Sequence, residues 1–208
     1  MGILYRLGIT LGEDNIASKV FESLHPNFFD FQYAKPSEYV LYFWNEYQKS
    51  DQHNNNLNGK LFEYILATLF IREGLLPLFV SAKVAFVPNV IYDLMFYSSD
   101  RGPICISAKT SLRERYKQAD LESIALKYVH RRALSYLLTL DEKEAERVKN
   151  KIKRGDVIGI DDVIIANNSD LDKLVCELKK YSLLNSPTVE VIETSQIVTN
   201  DKVKSLLQ

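Results

Sequence analysis

Three side chains near the middle of the chain have the types needed to hydrolyse a phosphodiester. Asp93 lies inside the apolar run Val90-Ile-Tyr-Asp-Leu-Met-Phe-Tyr97, and Lys109 closes the run Cys105-Ile-Ser-Ala-Lys109. Glu122 follows thirteen residues later. An ionised carboxylate in a buried strand is costly unless a cation or a hydrogen-bonding partner offsets it. Carboxylates hold divalent metals through hard oxygen donors, and an ammonium group can position a water and stabilise charge that develops on phosphorus. Glu63, between Phe62 and Tyr64 on a helical stretch, is a fourth candidate that could support such a site; a solvated helix residue is the alternative. Asp100 is a substitute for Asp93, and Asp120 competes with Glu122.

Whether these groups meet depends on the elements that carry them. Runs 78–86, 90–97 and 103–108 read as strands, and the turn-rich Ser98-Ser-Asp-Arg-Gly102 between the last two suits a hairpin. A hairpin centred near Arg101 sets Asp93 directly opposite Lys109 on one face, and a one-residue slip would part them. Ser111 and Glu114 match a capping box, so a long helix is expected from Ser111 to Leu140. Glu122 then lies about three turns along it, on the face of Arg115 and Gln118. Upstream, 36–48 reads as a helix capped near Ser37, and 58–74 as a helix stopped by Gly74. Downstream come a charged helix at 142–153, a strand at 156–166, a helix at 171–181, a strand at 188–192 and a short helix at 195–207. This order gives an α/β chain, a mixed central sheet flanked by helices in three layers. We read 1–208 as a single domain. Its core spans 57–166, and the aromatic, helical segment 1–55 serves packing, dimerisation or DNA contact.

The segment Ser107-Ala-Lys-Thr-Ser-Leu-Arg-Glu-Arg-Tyr-Lys-Gln118 resembles the PD-(D/E)XK nucleases, and within them the EcoRII, PspGI and NgoMIV group of restriction endonucleases. In the commonest form of that fold the residue two before the lysine is acidic. This group has a non-acidic residue there, as Ser107 is, and carries the carboxylate on the following helix, where Glu122 lies. The resemblance implies a three-layer restriction-endonuclease-like fold and Mg²⁺-dependent cleavage of double-stranded DNA, leaving a 5′-phosphate. It implies Asp93, Lys109 and Glu122 as catalytic, with Asp93 and Glu122 on the metal and Glu63 in support. Arg113-Glu114-Arg115 matches an Arg-(Glu/Asp)-Arg element that reads C·G pairs, and Lys117 and Gln118 extend that DNA-facing set. The implied target is a GC-containing palindrome such as CCGG or CCNGG. A homodimer would cut it, and a cognate methyltransferase would be present in the host without being contacted. The chemistry agrees, since arginine pairs bidentately with guanine and a carboxylate accepts from the cytosine amino group. Two features depart from the group. Tyr92, not proline, precedes Asp93, with Pro88 five residues upstream, and the interval from Asp93 to Lys109 is short.

Composition sets the limits. At 208 residues, 46% hydrophobic and 25% charged, with a formal net charge of −1, this is an ordinary globular composition without overall basicity. Basic residues are instead clustered: Arg113, Arg115 and Lys117; then Lys127, Arg131 and Arg132; then Arg147 to Arg154. The last cluster follows acidic residues on one helix and reads as dipole matching. Cys105 and Cys176 have neither disulfide-framework nor zinc spacing and read as buried thiols, and His25, His53 and His130 share no metal-ligand spacing. The N-terminus lacks signal-peptide shape and no apolar run could span a bilayer, so the expected location is cytoplasmic.

Overall fold

The computed structural model describes residues 2–50, 54–185, 192–194 and 196–207. His53 and positions 188–191 of the expected strand lie outside the described residues. The chain opens with α1 (Ile3–Leu7), α2 (Ile16–Leu24) and α3 (Pro36–Gln48). Asn15 caps α2 by accepting from the Ser18 N–H at 3.0 Å. Pro36 takes the first position of α3, where a missing N–H is harmless. Ser37, expected as its cap, lies inside the helix and donates its N–H and hydroxyl to Asp172 at 2.8 and 3.1 Å. The cap is closed instead by Glu38, whose carboxylate accepts from the Ala34 and Lys35 N–H groups. Phe21, Phe28, Tyr39, Phe43 and Tyr47 are fully buried in one core with α4 (Asn55–Arg72), so the aromatic segment is packing material. Trp44 packs edge-on against Phe62 of α4.

The sheet is mixed. β1 (Leu78–Val84), β2 (Tyr92–Ser98) and β3 (Gly102–Ala108) run antiparallel in sequence, while β3 pairs in parallel with β4 (Leu134–Thr139), and β4 with β5 (Asp162–Ile165). The short β6 (Ile192–Glu193) and β7 (Gln196–Val198) both pair antiparallel with the outer edge of β1. Leu94, Phe96, Ile104, Ile106 and Leu138 pack on α4 and on α7 (Ser169–Leu178). On the opposite face Met95 and Cys105 pack on Leu126 of α5 (Arg115–Val129), and Leu137, Val163 and Ile165 pack on α6 (Glu142–Arg154). Helices on both faces make the expected three-layer α/β architecture. α8 (Asn200–Leu207) closes the described chain, and no helix among the described residues is long and apolar enough to cross a membrane.

Several local expectations change. The long helix stops at Val129, and 134–139 is strand β4, whose buried run Leu134-Ser-Tyr-Leu-Leu-Thr139 lost its alternation because a central parallel strand is covered on both faces. The Ser111–Glu114 capping box does not form. The Ser111 hydroxyl and the Leu112 N–H both donate to Glu144, at 3.1 and 2.5 Å, while Glu114 turns to Lys117. Residues 156–161 form a connection, and 196–198 is strand, not helix. Cys105 is buried, but Cys176 is exposed, because Leu171, Leu174, Val175 and Leu178 already fill the inner face of α7. The charged helix α6 matches its expectation: Asp141 accepts from the Glu144 N–H at 2.9 Å, and Gly155 ends the helix at φ +80°.

Candidate active site

The β2–β3 register runs from Ser98↔Gly102 to Leu94↔Ile106, so the hairpin is centred on Asp100 and not on Arg101. One further step would set Asp93 across from Ser107, with Lys109 two residues beyond. The two side chains still meet across that two-residue difference, as the bonds at the end of the ladder show. The ladder ends at Leu94↔Ile106, and there Asp93 takes over. Its Oδ2 accepts from the Ala108 N–H and from Lys109 Nζ, each at 2.8 Å. The Lys109 backbone stays in the sheet through its N–H to the Leu138 carbonyl at 2.9 Å.

The strands bend at this point. Tyr92 and Met95, three positions apart, both join the α5-side cluster, while Leu94 and Phe96 join the α4 side, so alternation breaks at Asp93. The facing position on β1 is Ser81, held at φ +48° between the pairs Val80↔Leu94 and Ala82↔Tyr92. A left-handed residue inside a strand is a bulge-like device that turns the strand and re-aims side chains.

α4 brings Glu63 to the same place. Its side chain is only 12% exposed and accepts from Lys60 Nζ at 2.7 Å. Burial, and next the negative charge of Asp93, push the Glu63 carboxyl above its ordinary value, while Lys60 and Lys109 pull the other way. Burial works to lower the Lys60 ammonium, but Glu63 outweighs it and holds Lys60 above its usual range. Two carboxylates and two ammonium groups therefore share one partly dry site. Both bonds to Asp93 fall on Oδ2, leaving Oδ1 without a protein partner among the described residues. These are hard oxygen donors whose mutual repulsion a divalent cation would relieve. No cluster of three or more His, Cys, Asp or Glu side chains that could hold a metal occurs among the described residues.

A groove of about 410 Å³ opens beside this group, lined by Gly59, Lys60 and Glu63 of α4, by Lys109 and Thr110, and by Arg115 and Gln118 of α5. Glu122 stands one step back. Its carboxylate accepts from the Gln118 amide at 2.7 Å, its carbonyl accepts from the Tyr92 hydroxyl at 3.1 Å, and among the described residues it bonds neither Asp93 nor Lys109. Asp120 is structural: its Oδ1 accepts from the N–H groups of Ile158, Gly159 and Ile160 at 3.1, 2.6 and 3.3 Å. Asp100 sits in the hairpin turn, away from this group.

The chain matches no family model, and no curated protein is similar to it in sequence. A solved structure described as a restriction endonuclease PspGI–substrate DNA complex is similar to it with a TM-score of 0.54, at 17% identity over 84% of each chain. The fold is restriction-endonuclease-like. At that identity the likeness is one of fold, and the three-layer arrangement expected from the sequence is what it bears out.

Arg115, in the first turn of α5, lines the groove, Arg113, in the loop before it, lines a smaller space beside the groove, and Glu114 and Lys117 pair with each other on the exposed side of the helix. Sequence reasoning missed three contributors. Lys60 could have been found from its i,i+3 spacing to Glu63. Thr110 adjoins the lysine. Glu144, which anchors the loop 110–114, had no local signal, because it lies 32 residues from Leu112.

Proposed function

We propose that this protein is a Mg²⁺-dependent type II restriction endonuclease, cleaving double-stranded DNA at a short GC-containing palindrome. The observation that carries the reading is the Lys109–Asp93 contact at the end of the β2–β3 ladder, with the partly buried Glu63 beside it. Asp93 and Glu63 would hold the cation, and Glu122, hydrogen-bonded to Gln118 of the groove lining, would be the further carboxylate. When bound, the cation would neutralise phosphoryl oxygens and make the attacking water more acidic. Lys109 orients that water and faces the charge that develops on phosphorus, while Asp93 holds the ammonium in place. Arg113, Glu114, Arg115, Lys117 and Gln118 face the duplex. A palindromic target calls for a twofold homodimer, with one site per strand. The chain forms one nuclease domain, works in the cytoplasm, and has a host methyltransferase protecting the same sites without contacting it.

The test is digestion of plasmid DNA with and without Mg²⁺, followed by sequencing of the ends. Discrete fragments sharing a CC/GG-containing palindrome and carrying 5′-phosphates support the reading. Mg²⁺-dependent nicks without a shared sequence would point to a repair nuclease, and tight binding without cleavage to an inactive relative.

A further inference from the structure

The groove wall carries a glycine that the fold does not explain. Gly59 lies in the second turn of the 18-residue helix α4, on the wall that Asn55, Asn56, Lys60 and Glu63 make beside Lys109. Among the described residues it is the one glycine within a helix. Glycine in a helix interior is destabilising, because it loses more conformational freedom on folding than any other residue. Other glycines of this chain have local causes. Gly8, Gly74, Gly102 and Gly155 adopt positive φ, and at Gly2 and Gly159 a Cβ would collide with Glu22 or with the main chain of α5. Gly59 has neither cause. Its backbone is helical, and nothing stands within 4 Å of the place a Cβ would take. Neither conformation nor packing inside the protein calls for glycine here, so the open space belongs to the groove.

What fills that space follows from what lies around it. Glu63 is four residues on, about 6 Å along the helix axis and on the same face. A strand whose phosphate rests at Asp93, Glu63 and Lys109 has a flanking sugar at about that distance, beside the second turn of α4. A base edge does not suit this spot, because reading a base takes donors and acceptors. Gly59 has no side chain, and its N–H and carbonyl are taken up by the helix ladder. The polar neighbours are engaged with one another, Lys60 with Glu63 and Gln118 with Glu122, each at 2.7 Å. What Gly59 offers is closeness: a bare Cα lets another backbone approach the helix nearer than any other residue would.

We infer that the sugar–phosphate backbone of the scissile strand packs directly on the main chain of α4 at Gly59, so that the missing side chain sets how deeply the strand sits at Asp93 and Lys109. Gly59 is then a positioning residue, kept at a cost to helix stability. This rests on the proposed DNA-cleaving function. The experiment compares wild type, Gly59→Ala and Gly59→Leu by thermal melts and by binding to a randomised duplex pool without Mg²⁺, with the bound sequences counted. Alanine is the better helix former and its Cβ meets nothing, so the Tm of Gly59→Ala should rise by about 2–4 °C. Its duplex affinity should fall about tenfold, uniformly across sequences, and that of Gly59→Leu further. A merely structural role would move stability and binding in the same direction. A raised Tm with unchanged affinity, or a loss confined to particular base pairs, overturns the inference and leaves the nuclease reading intact. A lowered Tm in Gly59→Ala overturns it as well, because the glycine would then serve the fold. Absence of duplex binding by the wild type overturns both.

Discussion

Gly159 offers a sharp test of how α5, which carries Arg115 and Gln118, is seated. A Cβ at this position would stand 2.4 Å from the Asp120 carbonyl oxygen and 2.7 Å from the Ile124 nitrogen, both backbone atoms of α5 that no rotamer change can move. Ordinary contact begins at 3.4 Å, so in Gly159→Ala the loop must retreat by 3.4 − 2.4 = 1.0 Å. That retreat stretches the bonds by which Asp120 Oδ1 holds the N–H groups of Ile158, Gly159 and Ile160. Overpacking of this kind costs about 1–3 kcal/mol. Weakening hydrogen bonds to a charged acceptor adds about 1.5–3 kcal/mol when fully lost. Partial loss of both gives about 3 kcal/mol. At about 2–4 °C per kcal/mol for a chain of this size, Tm should fall by about 6–12 °C. Thermal melts followed by circular dichroism read this directly, and duplex binding should weaken in parallel. A fall below about 2 °C with full binding would refute the reasoning, because it would mean that the loop is not seated on α5 through Gly159.

Other expectations are as specific. Glu144→Ala removes the acceptor for Leu112 N–H and Ser111 Oγ, so it should cost about 1–3 kcal/mol and weaken duplex binding, as read by melts and titration; a destabilised variant that binds normally would separate Glu144 from the loop it is said to hold. Glu63 carries a pH signature. Its folded pKa is raised by burial and by Asp93, so the folded state holds the proton more tightly than the unfolded state. The ionised form therefore costs stability, and the cost is absent below the unfolded carboxylate value of about 4.3 and appears as pH rises through the folded value. Glu63→Gln removes it, so in metal-free protein the variant's Tm should gain on wild type as pH rises above the unfolded carboxylate value of about 4.3. Mg²⁺ should then raise the Tm of wild type more than that of the variant. A difference flat with pH would contradict the arrangement.

Much of this was legible because the signals were local. The turn Ser98–Gly102 fixed the β2–β3 hairpin, and Asp93 and Lys109 meet although the register differs by two residues from the one expected. Gly74 and Gly155 marked helix ends that the structure keeps, each at positive φ. β4 was not legible, because burial on both faces erased the alternation that separates strand from helix. The bend at Ser81 was not legible either, since a serine carries no signature of φ +48°. The anchors of the loop 110–114 and of α5 lie far apart in sequence: Glu144 to Leu112, and Asp120 to Ile158 across 38 residues. A capping box read at Ser111 and Glu114 was locally sound but lost to Glu144, a partner brought in by the fold.

The most direct test of the central claim is single-turnover cleavage of supercoiled plasmid by wild type and Lys109→Ala, with binding measured on the same preparations. The account predicts cleavage by wild type only with Mg²⁺, and in the variant a rate lower by at least about 10²-fold with duplex affinity largely kept. Cleavage by wild type without a divalent cation, or Lys109→Ala cutting at the wild-type rate, would contradict it.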